Sequence, residues 1–402
     1  MKYKRGLFIV AIATIVLGLI YAYGEKQKNE KMNSNVDSKE RVIKIATQTP
    51  LSGGSASIGK SMKLGAQLAL EEQVAKFKEL GFRLELTPYD DQGDPKIGVA
   101  NAQLLIADST ILGVVGHFNS GVTIPASEIY ENYTVAMVTP GSTATKVTDR
   151  KYKSVNRIIA RDDFQGPAGA EFTITNLQAK SIFLVHDKTE YGQGIANSFK
   201  EKAEKLGAEI IGYEGINVGE IDFTGLLDKV ITENPDVIYF GGVYAEGGLL
   251  IKQARAKGIT VPIVGGDGMD SRTLVEIAGD SIKNVYITSV AADTRKTDKG
   301  KIFAQKYKEK FSENIDAYSA YGYDSMGIIL KAIEGLIRKD GDNIPTREQV
   351  RDAVRSTRNY KGVVSNVSFN EVGDNKQAGV YIYQFNETLY PGEYIETVKN
   401  RK

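Results

Sequence analysis

One stretch of this chain has the residues of a phosphate cradle. Gly54-Ser-Ala-Ser-Ile-Gly59-Lys60-Ser61 fits the pattern G-x-x-x-x-G-K-S, in which backbone N–H groups and a lysine surround phosphate oxygens. Its context argues against that chemistry. Gln48 to Gly53 separate it from the preceding strand, where a phosphate loop needs a tight strand-to-helix turn. The best second acidic site, Ile182-Phe-Leu-Val-His-Asp187, is interrupted by His186. The stretch is read as a glycine-rich helix entry with an exposed Lys60. Asp90, Asp91 and Asp94 cluster without the spacing of a calcium loop and are read as turn and capping residues. There is no cysteine, which removes disulfides and thiolate chemistry, and the two histidines, His117 and His186, are read as structural. No G-x-S-x-G nucleophile elbow occurs. The residues therefore assign no catalytic group, no metal and no cofactor.

The remaining chemistry is recognition, and it needs a scaffold. The 402 residues suffice for two domains. With 51 basic and 50 acidic residues the net charge is +1, which argues against a nucleic-acid partner. Lys2, Lys4 and Arg5 precede an uncharged run from Gly6 to Tyr23, the pattern of an export signal. Ile20-Tyr21-Ala22 is a poor cleavage site, so residues 1–23 are expected to be a signal peptide or an N-terminal membrane anchor. Residues 24–40 are almost devoid of apolar side chains and read as a flexible tether.

From Arg41 the apolar pattern switches repeatedly between strand and helix. Strands are expected at 42–47, 82–88, 111–116 and 135–138, then at 181–186, 209–212, 237–241, 263–265 and 285–289. Helices fall between them, among them 59–72, a Pro-initiated one from Asp94-Pro95 to about Ala107, 123–131, 194–206 and 245–257. A long helical stretch follows at 299–311 and 318–338, and two strand-like pieces, 363–369 and 378–385, close the chain. Strands separated by helices of this length predict an α/β fold with parallel sheets covered on both faces. Ligands in such sheets bind beyond the carboxyl ends of the strands.

Several short stretches carry a family resemblance by their order and spacing. They are Pro50-Leu-Ser-Gly-Gly, Tyr89-Asp-Asp-Gln-Gly-Asp-Pro, Gly116-His-Phe-Asn-Ser-Gly, Pro125-Ala-Ser-Glu-Ile-Tyr, Thr139-Pro-Gly-Ser-Thr, Gln165-Gly-Pro, Val185-His-Asp-Lys-Thr-Glu-Tyr-Gly-Gln-Gly and Gly265-Gly-Asp-Gly. Over Val42 to Phe385 the chain resembles the type I periplasmic receptors of leucine, isoleucine and valine that serve ABC importers. The resemblance implies two Rossmann-like lobes joined by a three-strand hinge, with ligand in the cleft between them. The crossings would fall near residues 160, 290 and 366. Lobe 1 would then be 41–160 and 291–366, and lobe 2 would be 161–290 and 367–396.

The same resemblance implies a ligand site. Ser120 and Thr143 match the family's carboxylate-binding positions, and a helix N-terminus suits an anion. The ligand ammonium would meet the carbonyl of Gly141, the Thr143 hydroxyl and the acid at Asp267. Branched-chain receptors are expected to carry glutamate there, one methylene longer. The ligand side chain would meet Ile58, Phe118, Tyr191, Val243, Tyr244 and Tyr318. Ile58 and Val243 replace expected tyrosines, making the wall more aliphatic. The implied role is an extracytoplasmic receptor that captures a neutral or branched-chain amino acid by hinged closure and delivers it to a membrane permease. It would be periplasmic or extracellular, and tethered to the membrane by residues 6–23 if these are uncleaved. The alternatives are an extracellular sensor of an amino acid, amide or urea, and a Rossmann-type enzyme. The enzyme lacks a G-x-G-x-x-G fingerprint after its first strand, and the protein is read as no enzyme.

Overall fold

The computed structural model describes Glu25, residues 41–341 and residues 343–398. The expected export segment, and the tether apart from Glu25, lie outside the described residues. No helix among the described residues is long and apolar enough to cross a membrane.

The α/β class and the parallel sheets expected from the sequence are present. The first sheet holds β1 (Arg41–Thr49), β2 (Phe82–Asp90), β3 (Ile111–Gly116), β4 (Ala136–Thr139) and β5 (Val155–Arg157) in the order β2-β1-β3-β4-β5. Pairings β1–β3, β3–β4 and β4–β5 are parallel. All six residues of β3 are buried, as a continuous apolar run in a two-sided parallel sheet requires. Between these strands run α1 (Ala56–Glu71), α2 (Val74–Glu79), α3 (Pro95–Ala107), α4 (Ser120–Asn132) and α5 (Lys146–Asp149). Asp94 starts α3 as the sequence suggested: its Oδ1 accepts from the N–H groups of Lys96 at 2.6 Å and Ile97 at 3.3 Å.

The second sheet runs β14-β13-β10-β9-β8-β6-β7. Its parallel part is β6 (Ser181–His186), β7 (Glu209–Gly215), β8 (Val237–Gly241), β9 (Ile263–Gly265) and β10 (Val285–Ser289). Its helices are α6 (Asp162–Thr175), α7 (Glu190–Lys205), α8 (Thr224–Glu233), α9 (Tyr244–Ala256) and α10 (Arg272–Ala278). After β10 the chain forms α11 (Asp298–Phe311), α12 (Ser319–Lys339) and α13 (Arg347–Arg355). α12 packs against α1, and α13 against β3 and β4. Glycines let α1 and α12 approach closely: a Cβ on Gly65 would lie 1.9 Å from the Ser319 carbonyl oxygen, and one on Gly322 2.2 Å from that of Met62.

The last segment differs from expectation. In place of a strand over 363–369, a short antiparallel ladder joins β11 (Tyr360–Lys361) to β12 (Asn366–Val367). β13 (Val380–Phe385) is present, but pairs antiparallel with β10, and an unexpected β14 (Glu393–Val398) follows it. β13 is reached without a crossover helix, from a segment bridged to β5 at Arg157 and Asp374, so nothing forces it parallel.

The phosphate-loop pattern dissolves in this fold. α1 begins at Ala56, so Gly59 lies inside the helix, where a Cβ would meet the Pro50 carbonyl oxygen at 1.8 Å. The Lys60 ammonium is exposed and pairs with Glu313 at 2.6 Å.

Candidate functional site

Segments that follow strands of the two sheets meet, as where Ser57, after β1, bonds Tyr244, after β8. Ser120 opens α4 after β3, and its Oγ accepts from the Ala144 N–H at 3.2 Å. Thr143 follows β4, is fully buried, and its hydroxyl has no hydrogen-bond partner. Arg157 fixes the backbone around it. The Arg157 Nη1 donates to the carbonyls of Ser142, Thr143 and Ala144 at 3.2, 2.8 and 2.8 Å. Gly141 must be small here: a Cβ would stand 2.7 Å from the Phe118 ring. Phe118 meets Tyr318 edge-on, ring centroids 5.5 Å apart.

Asp267 stands just after β9 and is 1 % exposed. Its Oδ1 accepts from the Tyr191 hydroxyl at 2.8 Å and its Oδ2 from the Tyr318 hydroxyl at 2.6 Å. The Gly268 N–H donates back to the Tyr191 oxygen at 2.7 Å. Burial pushes the Asp267 carboxyl up, and the two phenols oppose that shift by donating to its charged form. Burial and the neighbouring carboxylate push both phenols well above their ordinary range, so they remain donors. Tyr191 lies in the first turn of α7, which starts at Glu190 rather than at the expected Gly194, because Thr189 caps it by accepting from the Gly192 N–H at 2.9 Å.

The apolar candidates Ile58, Phe118, Val243, Tyr244 and Tyr318 belong to one continuous core cluster. The Tyr244 hydroxyl accepts from the Ser57 N–H at 3.0 Å, and the Ser57 and Ser271 hydroxyls lie 3.0 Å apart. These contacts join the segment after β1 to segments of the second sheet's side.

His117 and His186 sit away from this center of contacts. His117 Nδ1 lies 3.0 Å from Asp91 Oδ2 and its Nε2 3.3 Å from the Tyr130 hydroxyl, a fully buried arrangement. Burial lowers the His186 imidazole. Among the described residues no group of three or more His, Asp or Glu could hold a metal ion. A separate cavity of about 590 Å³, lined by Asp270, Arg272, Arg295, Asp316 and Tyr390 among others, contains none of the ten candidate residues.

The sequence model of the family described as "Periplasmic binding protein" matches residues 42–388. The chain belongs to this family. A Leu/Ile/Val-binding protein homolog of Brucella abortus is 33% identical over 343 residues, covering 85% of this chain and 90% of that protein. A leucine-, isoleucine-, valine-, threonine- and alanine-binding protein of Pseudomonas aeruginosa is 34% identical over 345 residues, 86% of this chain and 90% of that protein. Among solved structures, a leucine binding protein of Thermotoga maritima superposes with TM-score 0.80 at 31% identity, covering 89% of this chain and 99% of that one. A branched-chain amino acid transporter substrate binding protein of Streptococcus pneumoniae, in complex with isoleucine, gives TM-score 0.80 at 27% identity over 88% of this chain and 99% of that one.

Two further buried polar residues had no role assigned from the sequence. Asp162, the first residue of α6, is 1 % exposed with both carboxylate oxygens unpartnered. Gln165 donates from Nε2 to the Thr288 carbonyl at 2.6 Å and leaves Oε1 unpartnered. The available signal was the acidic pair in Arg161-Asp-Asp-Phe-Gln at a helix start directly after the first sheet.

Proposed function

We propose that this periplasmic binding protein is the extracytoplasmic receptor of an ABC importer. It captures a free neutral amino acid, branched-chain side chains favoured, by closure of two lobes and delivers it to a membrane permease. Lobe 1 is 41–160 with 291–366, lobe 2 is 161–290 with 367–396, and the chain crosses near 160, 290 and 366. No covalent step is asked of the cleft. Residues 6–23 serve as the export signal or anchor.

The observation that carries this reading is the Asp267 carboxylate, held at the seam by Tyr191 from one lobe and Tyr318 from the other. A buried carboxylate on rigid donors is a ready partner for an ammonium. The unpartnered Thr143 hydroxyl and the start of α4 at Ser120 offer hydrogen bonds to a carboxylate. The Gly141 carbonyl adds an acceptor for the ammonium. Ile58, Phe118, Val243 and Tyr244 present an apolar wall to the ligand side chain. The relatives named for leucine, isoleucine and valine support the same ligand class.

A thermal-shift screen against the twenty amino acids, urea and short amides tests this. Ligand at a hundred times its Kd adds about 2.7 kcal/mol. Neutral amino acids should shift the protein, and Asp267→Ala should abolish the shift while the protein stays folded. A shift with urea or amides alone would overturn the carboxylate and ammonium roles and favour a sensor.

A further inference from the structure

The cleft holds more acidic chemistry than the ammonium subsite just described uses. Asp267 has a phenol on each oxygen. Asp162 has a donor on neither, though it is 1 % exposed. The two acids are close enough that the charge of Asp267 raises the Asp162 carboxyl, after burial itself.

The groups acting most strongly on Asp162 come from several elements. From β5 comes the Arg157 guanidinium, from the loop after β4 the Thr143 hydroxyl, and from α6 itself Asp163. Asp267 faces it from the turn after β9, and the phenols of Tyr191 and Tyr239 from α7 and β8. Arg157 is the single cation of this set, and its donors are committed. They go to Asp374, to the three carbonyls of 142–144 and to the Thr148 hydroxyl. The Thr143 hydroxyl lies beside Asp162 and opposes the upward shift, but its geometry falls short of a full hydrogen bond. An ionised carboxylate in a dry site without a donor loses its hydration with nothing to replace it. Beside a second carboxylate it is further disfavoured.

An ammonium changes that balance. It brings a positive charge and three N–H donors, while the Asp267 oxygens already accept one bond each. The polar atoms without partners around it are both oxygens of Asp162, Oγ1 of Thr143, Oε1 of Gln165 and the Tyr239 hydroxyl. We propose that Asp162 is a second carboxylate of the ammonium subsite, protonated while no cation is bound and ionised when the ligand ammonium enters. Capture of the ligand then releases a proton: the Asp162 O–H bond breaks, the proton passes to solvent, and the carboxylate accepts from the ammonium. This deepens the amino-acid reading of the cleft and rests on it. Ligands lacking an α-ammonium gain nothing from Asp162.

Calorimetry of the full protein with L-leucine, in two buffers of different ionisation enthalpy from about pH 5 to 8, counts the protons. Release of up to about one proton per ligand is expected, with affinity rising as pH rises. Asp162→Asn should release none, lose the pH dependence and bind about tenfold or more weakly, because a charge-assisted bond is lost. For 4-methylpentanoate, which lacks the ammonium, the variant and the native protein should bind alike. No proton release by the native protein across this range, or equal release by Asp162→Asn, overturns the proposal. The native protein's proton count decides the matter even if the variant fails to fold. If no neutral amino acid binds the native protein at all, the amino-acid reading itself fails, an outcome distinct from binding without proton release.

Discussion

Arg157 and Asp374 form a buried ion pair, with Nη2 2.7 Å and Nε 2.8 Å from the same carboxylate oxygen. The pair ties β5 to the segment that leads into β13, and the same guanidinium holds the carbonyls flanking Thr143. Asp374→Ala leaves the fully buried Arg157 short of its counter-ion. Removing one partner of a buried pair costs about 3–5 kcal/mol. Denaturant unfolding should record a loss of that size, since Arg161, 3.2 Å from Asp374, loses a partner as well; a loss below about 1 kcal/mol would mean that solvent takes the place of the carboxylate.

The phenols of Tyr191 and Tyr318 do different work from the aromatic wall, since both donate to Asp267. Tyr191→Phe and Tyr318→Phe keep the ring and delete the donor. Each should weaken amino-acid binding about tenfold or more, as loss of a bond to a charged group implies. The double variant should fall short of the product of the two, because they share one carboxylate. Titration calorimetry would reveal full additivity if the two act independently.

Stability should fall as pH rises from about 4 to 7. Burial pushes Asp270 up to about 7, with Ser289 and Tyr390 opposing the shift and Asp316 adding to it. Burial also pushes Asp324 up to about 7 and Asp187 up to about 6. These folded-state values exceed the unfolded ones, so the folded protein holds more protons in that window. Stability is greatest at its acid end, although His186, which burial lowers, acts with the opposite sign within the window. Asp90, Asp108 and Asp236 are lowered by hydrogen bonds and act with opposite sign, but only below about pH 4. Urea midpoints at pH 5 and pH 8 should differ in this sense, and Asp270→Asn should narrow the gap. An unchanged gap would place the titration elsewhere.

Lys60→Ala should change neither ligand affinity nor stability by more than about 1 kcal/mol, because its pairing with Glu313 is exposed. Loss of a measurable affinity for ATP on this change would restore the phosphate-loop reading that the helical position of Gly59 contradicts.

The sequence by itself determined the local physics. The apolar run at Ile111–Gly116 could satisfy its backbone and bury its side chains only as a central strand, and it does. Asp94-Pro95 set a helix start because an Asx oxygen and a donor-free first residue suit the open N–H groups there. The alternation of such elements dictated parallel sheets, and with them the ends at which polar loops gather. Tertiary structure decided what these rules leave undetermined. Among the described residues β14 pairs only with β13, and its half-buried edge position weakens the alternation that would mark it. The antiparallel turn of β13 depends on where the preceding segment docks, through Arg157 and Asp374. In the sequence Asp162 is one of two adjacent acids and nothing marks it out. Its meaning comes from burial beside Asp267, a neighbour distant in sequence, and from an Arg157 whose hydrogen bonds are already committed. Residue type and spacing report bonds along the chain; the field inside a dry cleft is set by groups that only folding brings together.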